Sequence, residues 1–262
     1  MDPKSYEYTG MIASAWDLLR GDTSNWSDRF FYRDLILQYG QPVLDVGCGT
    51  GRLLLDYLAQ GIDIDGVDNS PEMLAICFEK ASKLGLQPRL FEQPMEMLNL
   101  PRTYRTIIVP SSSFQLLTDL QDAQKAMQRF FHHLEPGGVL VMPFMILRDE
   151  QATQQIVQGD WEPRGEAIRP EDDSTIRRWN RSTYDLPNQL ESTEDRYEVL
   201  RDGEIIATES SARSPATRWY TQNQAVQLYQ DAGFITIRLL KKFSQEPASK
   251  KDTMFSVIGI RP

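Results

Sequence analysis

The stretch Val43-Leu44-Asp45-Val46-Gly47-Cys48-Gly49-Thr50-Gly51-Arg52 sets three glycines at alternate positions behind a short apolar run. A glycine-rich turn between a strand and a helix lets a ligand touch the backbone, and the helix N-terminus adds partial positive charge. Asp68 closes the next apolar stretch, about twenty residues on, where a carboxylate can accept both hydroxyls of a ribose. The glycines stand at 47, 49 and 51, whereas a dinucleotide fingerprint wants the third at 52, which is Arg52. That spacing suits a nucleoside ligand without a pyrophosphate better than NAD. A tight strand–helix turn holding no ligand is the plain alternative, and Asp68 weighs against it.

Other reactive side chains are weaker candidates. Ser111, Ser112 and Ser113 follow the apolar Ile107–Pro110, at the carboxyl end of an expected strand. Ser111 reads equally as a ligand contact or a turn residue, and Ser113 reads as a turn residue. His132 and His133 lie on an expected helix over 120–134 whose core stripe is Ala126, Met127, Phe130, Phe131 and Leu134. His132 falls opposite that stripe and His133 at its flank, so neither is read as a general base. Adjacent helical residues do not converge on a metal, and no metal site is expected. Cys48 reads as a space-filler in the loop and Cys77 as a core residue; two cysteines make neither a disulfide framework nor a zinc signature. Tyr6, Tyr8, Trp179, Tyr184, Trp219 and Tyr220 could line a pocket or simply pack. No catalytic residue is assigned.

The elements that must position these groups alternate between strand and helix. Residues 42–47, 62–68, 88–93, 106–113 and 139–144 read as strands, separated by helical stretches. Ser70-Pro71 supplies an N-cap and an N1 proline for a helix over about 71–83, with Met73, Leu74, Cys77, Phe78 and Ala81 on one face. "PGG" at 136–138 reads as the turn before the fifth strand. Such alternation predicts an α/β fold with a mostly parallel sheet. After Phe144 the pattern changes: 145–175 reads as irregular, and three extended segments follow, the last two joined by the hairpin signal Asp202-Gly203. Residues 1–144 are expected to form a ligand-binding core with an N-terminal lid from Tyr6 to Trp16. Residues 145–215 are expected to form an antiparallel β insert, and 216–262 to complete the core with a helix and two strands.

Composition limits the partners. The chain has 262 residues and a formal net charge of -9, with no basic cluster interleaved with aromatics, so nucleic acid is not an expected partner. No apolar run is long enough to span a bilayer, and the N-terminus lacks a secretory pattern. The expectation is a cytoplasmic protein without a membrane partner, acting on a small molecule, with a possible homodimer through the insert.

"VLDVGCGTGR", "GVDNSPEML" and "LEPGGVLVM", in that order, resemble the signature segments of class I S-adenosylmethionine-dependent methyltransferases. The ending, from "YTQNQAVQLYQDAGFITIRLL" to "MFSVIGI", resembles that family too, and "AWDLLRGDT" resembles a segment of glycine and sarcosine methyltransferases. The resemblance implies a Rossmann-like seven-stranded sheet, its last strand antiparallel, and S-adenosylmethionine as cofactor. Gly47, Cys48 and Gly49 would cradle the methionyl part, Asp45 would orient its ammonium, and Asp68 would take the ribose hydroxyls with Asn69 beside the adenine. The family's adenine-recognising Asp is replaced by Met95, so backbone groups of Met95 and Glu96, with packing on Met73, would hold the base. Trp16 matches a cofactor-contacting tryptophan, and Ser111 would lie beside the methyl group. The arginine that glycine-methylating relatives carry after "GDT" is absent; Arg20, Arg29 or Arg33 would replace it. The reading is methyl transfer to a nitrogen or oxygen of a small molecule. A non-catalytic cofactor-binding module, or a nicotinamide oxidoreductase, is the competing reading.

Overall fold

A computed structural model describes residues 8–148 and 156–262; Tyr6 lies outside them. Seven strands build the central sheet: β1 (Val43–Val46), β2 (Ile64–Asp68), β3 (Arg89–Glu92), β4 (Tyr104–Ile108), β5 (Leu134–Met145) and, late in the chain, β11 (Ile235–Lys241) and β12 (Met254–Ile260). The insert between them carries β6 (Ile156–Gln158), β7 (Glu162–Ile168), β8 (Thr175–Asp185), β9 (Leu190–Arg201) and β10 (Glu204–Arg218). The central order is β11-β12-β5-β4-β1-β2-β3, and only β12 runs against its neighbours. This is the expected sheet. Its order reverses between β1 and β4, and the crevice of such a sheet opens at the carboxyl ends of those strands.

Burial explains why these segments are strands. All four residues of β1 are buried, as a central parallel strand covered on both faces requires. The covering helices are α3 (Ser27–Tyr39), α4 (Leu54–Ala59), α5 (Pro71–Lys83), α6 (Leu120–His133) and α7 (Gln222–Asp231). Ser70 caps α5 by accepting the Met73 N–H at 3.1 Å. Thr221 and Gln224 form a reciprocal capping box on α7. Each such cap contributes about 1 kcal/mol. Two local expectations fail. Phe78 is 62% exposed, because Met73, Leu74, Cys77 and Ala81 already fill the face of α5 that meets the sheet. "PGG" is no separate turn: α6 runs directly into β5, which contains it.

The insert is a second, antiparallel sheet of order β10-β9-β8-β6, with β7 also on β8. Asp202 and Gly203 both have positive φ, +53° and +83°, as a two-residue hairpin turn demands. The stretch read as irregular contains β6 and β7, two edge segments with little apolar alternation for sequence to reveal. Residue parity places Trp179 on the outer face with Arg177 and Arg196, opposite the face that packs on the N-terminal segment. The inner face presents Ile176, Tyr197 and Val199, which pack on Ile12 and Ala15 of the N-terminal segment. That segment forms α1 (Gly10–Ser14) and α2 (Trp16–Arg20). It is pinned from both sides: Met11 N–H donates to both Glu209 oxygens, at 3.0 and 3.1 Å, and Gly10 N–H donates to Glu72 at 2.7 Å.

One amide closes the neck of the insert. Gln115, 1% exposed, donates from Nε2 to the carbonyls of Met145 and Arg218, at 2.9 and 3.0 Å. Its Oε1 accepts the Met145 N–H at 2.7 Å. The chain thus leaves and re-enters the core beside a single side chain.

Candidate cofactor site

The crevice forms where β1, β2 and β4 end. Gly47, Cys48, Gly49 and Asp45 line it, with Asp68 and Asn69 from the end of β2. Met73, Met95 and Ser111 complete the set of expected residues that the fold brings together, and Trp16 reaches in from α2. Glu96 does not join them; it lines a separate surface groove beside α6. The short helical turn Met95–Met97 buries Met95 toward the crevice and sends Glu96 the other way.

The glycine loop works by closeness. Gly47, Gly49 and Gly51 have φ of +71°, +53° and +82°, a region that disfavours side chains. A Cβ at Gly47 would lie 2.8 Å from Ser113 Oγ. The loop N–H groups, however, are already engaged. Gly47 and Cys48 both donate to the Val67 carbonyl, at 2.8 and 3.1 Å, Gly49 donates to Asp68 Oδ2 at 2.8 Å, and Gly51 donates to the Cys48 carbonyl at 2.9 Å. Few donors remain for a pyrophosphate. Arg52, where a dinucleotide loop keeps glycine, is tied to Asp28 of α3 through two hydrogen bonds of 3.1 and 2.5 Å.

The site is instead lined with carboxylates on its inner wall. Asp45 is 2% exposed, and its Oδ1 has no hydrogen-bond partner among the described residues. Burial raises its pKa to about 7, against the opposing pull of Arg52. Such an orphaned carboxylate oxygen awaits a cationic or N–H donor group. Asp68 is half-buried and held rigidly: Oδ2 accepts Gly49 N–H and Oδ1 accepts Ser70 N–H at 3.0 Å. Burial raises its pKa too. Each oxygen keeps capacity for one further donor.

The outer wall comes from the N-terminal segment. Arg20 lies 4.3 Å over the Trp16 ring, and Trp16 and Tyr8 have ring centroids 4.9 Å apart. Of the three candidate arginines only Arg20 lines the crevice; Arg29 is paired with Asp56 and Arg33 with Asp34. Arg20 makes no ion pair among the described residues, and burial, with Arg52 nearby, lowers its pKa. Thr50 in the loop donates to Asp17 of α2 at 2.6 Å, and Asp17 also receives Lys80. Thr50 and Gln93 are crevice residues that the sequence reading missed. Gln93 directly follows β3, and position at a strand's carboxyl end was the available signal.

The serines form a strained turn. Ser111 and Ser112 have φ of +57° and +58°, unusual for side chains other than glycine. Ser113 donates to the Pro110 carbonyl at 2.7 Å, as a turn residue, yet it also lines the crevice. His132 and His133 are remote from it. Leu100 N–H donates to His133 Nε2 at 3.0 Å, and burial lowers the His133 pKa, so this ring is a neutral structural acceptor. Cys48 and Cys77 are both buried and unbridged. Among the described residues no helix is long and apolar enough to cross a membrane.

A family model described as a methyltransferase domain matches residues 43–138, the span from β1 into β5. The chain is 31% identical over 149 residues to a glycine/sarcosine N-methyltransferase of Halorhodospira halochloris, covering 54% of each protein. It is 26% identical over 216 residues to a glycine/sarcosine/dimethylglycine N-methyltransferase of Actinopolyspora halophila, covering 77% of this chain and 36% of that one. The chain therefore spans about half, or less, of these relatives' lengths. The fold matches the CcbJ methyltransferase of Streptomyces caelestis with a TM-score of 0.74 at 20% identity, over 99% of this chain and 98% of that one. Residues 43–138 therefore carry a methyltransferase domain, in a fold shared with that methyltransferase structure. The similarity to CcbJ runs through the insert as well as the core.

Proposed function

We propose that the protein transfers a methyl group from S-adenosylmethionine to a nitrogen of a small-molecule acceptor. The observation that carries this reading is the buried Asp45 Oδ1, without a partner among the described residues, at the foot of a glycine loop whose Gly47, Cys48, Gly49 and Gly51 N–H groups are engaged. Such a site favours a cationic ammonium over a phosphate. Asp45 would hold the ammonium of the methionyl part, Arg20 its carboxylate, and Asp68 the ribose hydroxyls. Met73, Met95 and Asn69 would flank the adenine. When bound, the cofactor supplies a methyl group on a positively charged sulfur, already activated for displacement.

The chain's own residues then have mainly to align and enclose. Alignment of donor and acceptor can contribute about 7–11 kcal/mol. A general base adds about 10²–10⁴ in rate, or roughly 3–5 kcal/mol. The crevice lining among the described residues includes no histidine, which suits an acceptor nitrogen that attacks as its neutral form. α1, α2 and the inner face of the insert would exclude water and set acceptor specificity. The choice of nitrogen over oxygen rests on what the two sequence relatives are named for.

Calorimetry with S-adenosylhomocysteine and with NAD tests the reading. The homocysteine derivative should bind at least a hundred-fold tighter. Equal or tighter binding of NAD would sink it.

A further inference from the structure

Two buried carboxylates, Asp28 and Asp45, stand near one guanidinium behind the glycine loop, and the geometry does not share it between them. Arg52, next after Gly51, lines the crevice with Asp45. Its Nη1 and Nη2 donate to the two oxygens of Asp28, at 3.1 and 2.5 Å, in an ion pair whose side chains are only 12% and 6% exposed. The guanidinium also lies 5.1 Å from the Trp26 ring centroid. Asp45 receives the Leu54 N–H, yet its Oδ1 has no partner among the described residues. An acidic residue in the first turn of a helix suits the helix dipole, and Asp28 stands in the first turn of α3. That accounts for a carboxylate here but not for its burial against a guanidinium of the loop.

The other groups around Asp45 bring it no positive charge. Asp68, at the end of β2, is a carboxylate too and bears on Asp45 as a like charge. Tyr57 of α4 donates to the Arg29 carbonyl at 2.7 Å, and Tyr32, one turn beyond Asp28 on α3, has a hydroxyl without a partner among the described residues. Burial pushes both phenols up, so they stay neutral. It does the same to the thiols of Cys48 in the loop and Cys77 on α5. Among the described residues the crevice lining holds one other cation, Arg20 of α2, which lies over the Trp16 ring. A guanidinium has enough N–H donors for two carboxylates, and both terminal nitrogens of Arg52 nevertheless go to Asp28.

We propose that Asp28 is a positioning residue for cofactor binding: by engaging Arg52 it withholds that guanidinium from Asp45 and leaves Asp45 open to the ammonium of the methionyl part. This inference rests on the methyl-transfer reading above. It gives a part in the site to α3, which supplies none of the lining among the described residues. The sign of each perturbation follows. With Asp28 opposing Arg52, burial keeps the Asp45 pKa up at about 7, so affinity for the ammonium rises about ten-fold from pH 6 to pH 8. Removing the Asp28 charge releases the field of Arg52 onto Asp45, which then ionises at lower pH and has a cation of its own. Removing the Arg52 charge leaves Asp28 and Asp45 as opposed like charges and moves the ionisation of Asp45 to higher pH. The two halves of one ion pair therefore shift the affinity profile in opposite directions. A pair that only held the fold together would lose the same thing from either side.

The test is calorimetry of the full protein with S-adenosylhomocysteine at pH 6, 7 and 8, at constant ionic strength. Wild type should bind about ten-fold tighter at pH 8 than at pH 6. Asp28→Asn should hold its affinity within two-fold over that interval and bind at least five-fold more weakly than wild type at pH 8. Asp28→Glu, which keeps the charge, should restore the wild-type rise. Arg52→Gln should displace the rise upward, with affinity at pH 7 several-fold below wild type and still climbing at pH 8; it carries the test if Asp28→Asn does not fold. A wild-type affinity that does not change with pH would overturn the inference with the cofactor reading intact. So would a profile that neither variant displaces, or that both displace in the same direction. Failure of the wild type to bind S-adenosylhomocysteine at any of the three pH values would remove both.

Discussion

Asp68→Ala isolates the carboxylate on which the cofactor reading most depends. In the fold Asp68 accepts Gly49 N–H at 2.8 Å and Ser70 N–H at 3.0 Å, so it braces the glycine loop as well as facing the crevice. Hydrogen bonds to a charged acceptor are worth about 1.5–3 kcal/mol each. Loss of two ribose hydroxyl bonds therefore removes roughly 3–6 kcal/mol from cofactor binding. At about 1.4 kcal/mol per decade this raises the dissociation constant at least a hundred-fold. The freed N–H groups of Gly49 and Ser70 meet water in part, since Asp68 is only half-buried, so stability should fall by about 1–3 kcal/mol. Calorimetry with S-adenosylhomocysteine reads the first quantity and chemical denaturation the second. A folded variant that loses stability but binds with an unchanged constant would refute the assignment and leave Asp68 as a loop brace alone.

Three further outcomes follow from the geometry. Burial raises the Asp45 pKa from its ordinary value to about 7; a raised folded-state pKa means that stability is fully present below the unfolded value and is lost as pH rises through about 7. Denaturation of the cofactor-free protein at pH 5 and pH 8 should show this fall, Asp45→Asn should flatten it, and wild-type affinity for S-adenosylhomocysteine should rise over the same interval as the carboxylate ionises. Gly47→Ala should weaken cofactor binding at least ten-fold, because φ is +71° and the new methyl meets Ser113 Oγ at 2.8 Å; a constant within two-fold of wild type would show that the loop yields. His133→Ala should cost about 1–2 kcal/mol in denaturation by orphaning the Leu100 N–H, with cofactor binding unchanged. Since burial lowers the His133 pKa, its contribution to stability should fade as pH drops below the ordinary histidine value, and His132→Ala should leave denaturation within about 0.5 kcal/mol of wild type.

What the sequence disclosed was chiefly local. Ser70-Pro71 and Asp202-Gly203 each dictate a backbone conformation through their own chemistry, and the fold obeys both. The mostly parallel character of the central sheet was legible because strands alternate with helices, whereas its seven strands and antiparallel last strand came from the family resemblance. Tertiary competition hid the rest. Nothing local tells that the Val67 carbonyl takes two loop N–H groups, yet that contact decides which ligands the loop suits. Arg20, Arg29 and Arg33 look equivalent until Asp56 and Asp34 engage two of them. Trp179 and Tyr184 look alike as pocket aromatics until their parity along β8 sends them to opposite faces.

The Gln115 amide has a consequence for how such a molecule can change. It fastens the carbonyls of Met145 and Arg218 to one point, so the chain crosses between the two sheets at a single station. Everything between those residues can lengthen, shorten or be exchanged without moving the strands that carry Asp45 and Asp68. A new binding surface grafted there would inherit the intact strands that carry Asp45 and Asp68, provided that its two ends still meet one glutamine side chain and that it supports α1 and α2 as Glu209 and Tyr197 do. The molecule is in this sense a fixed handle with an interchangeable head, and Gln115 is the fitting between them.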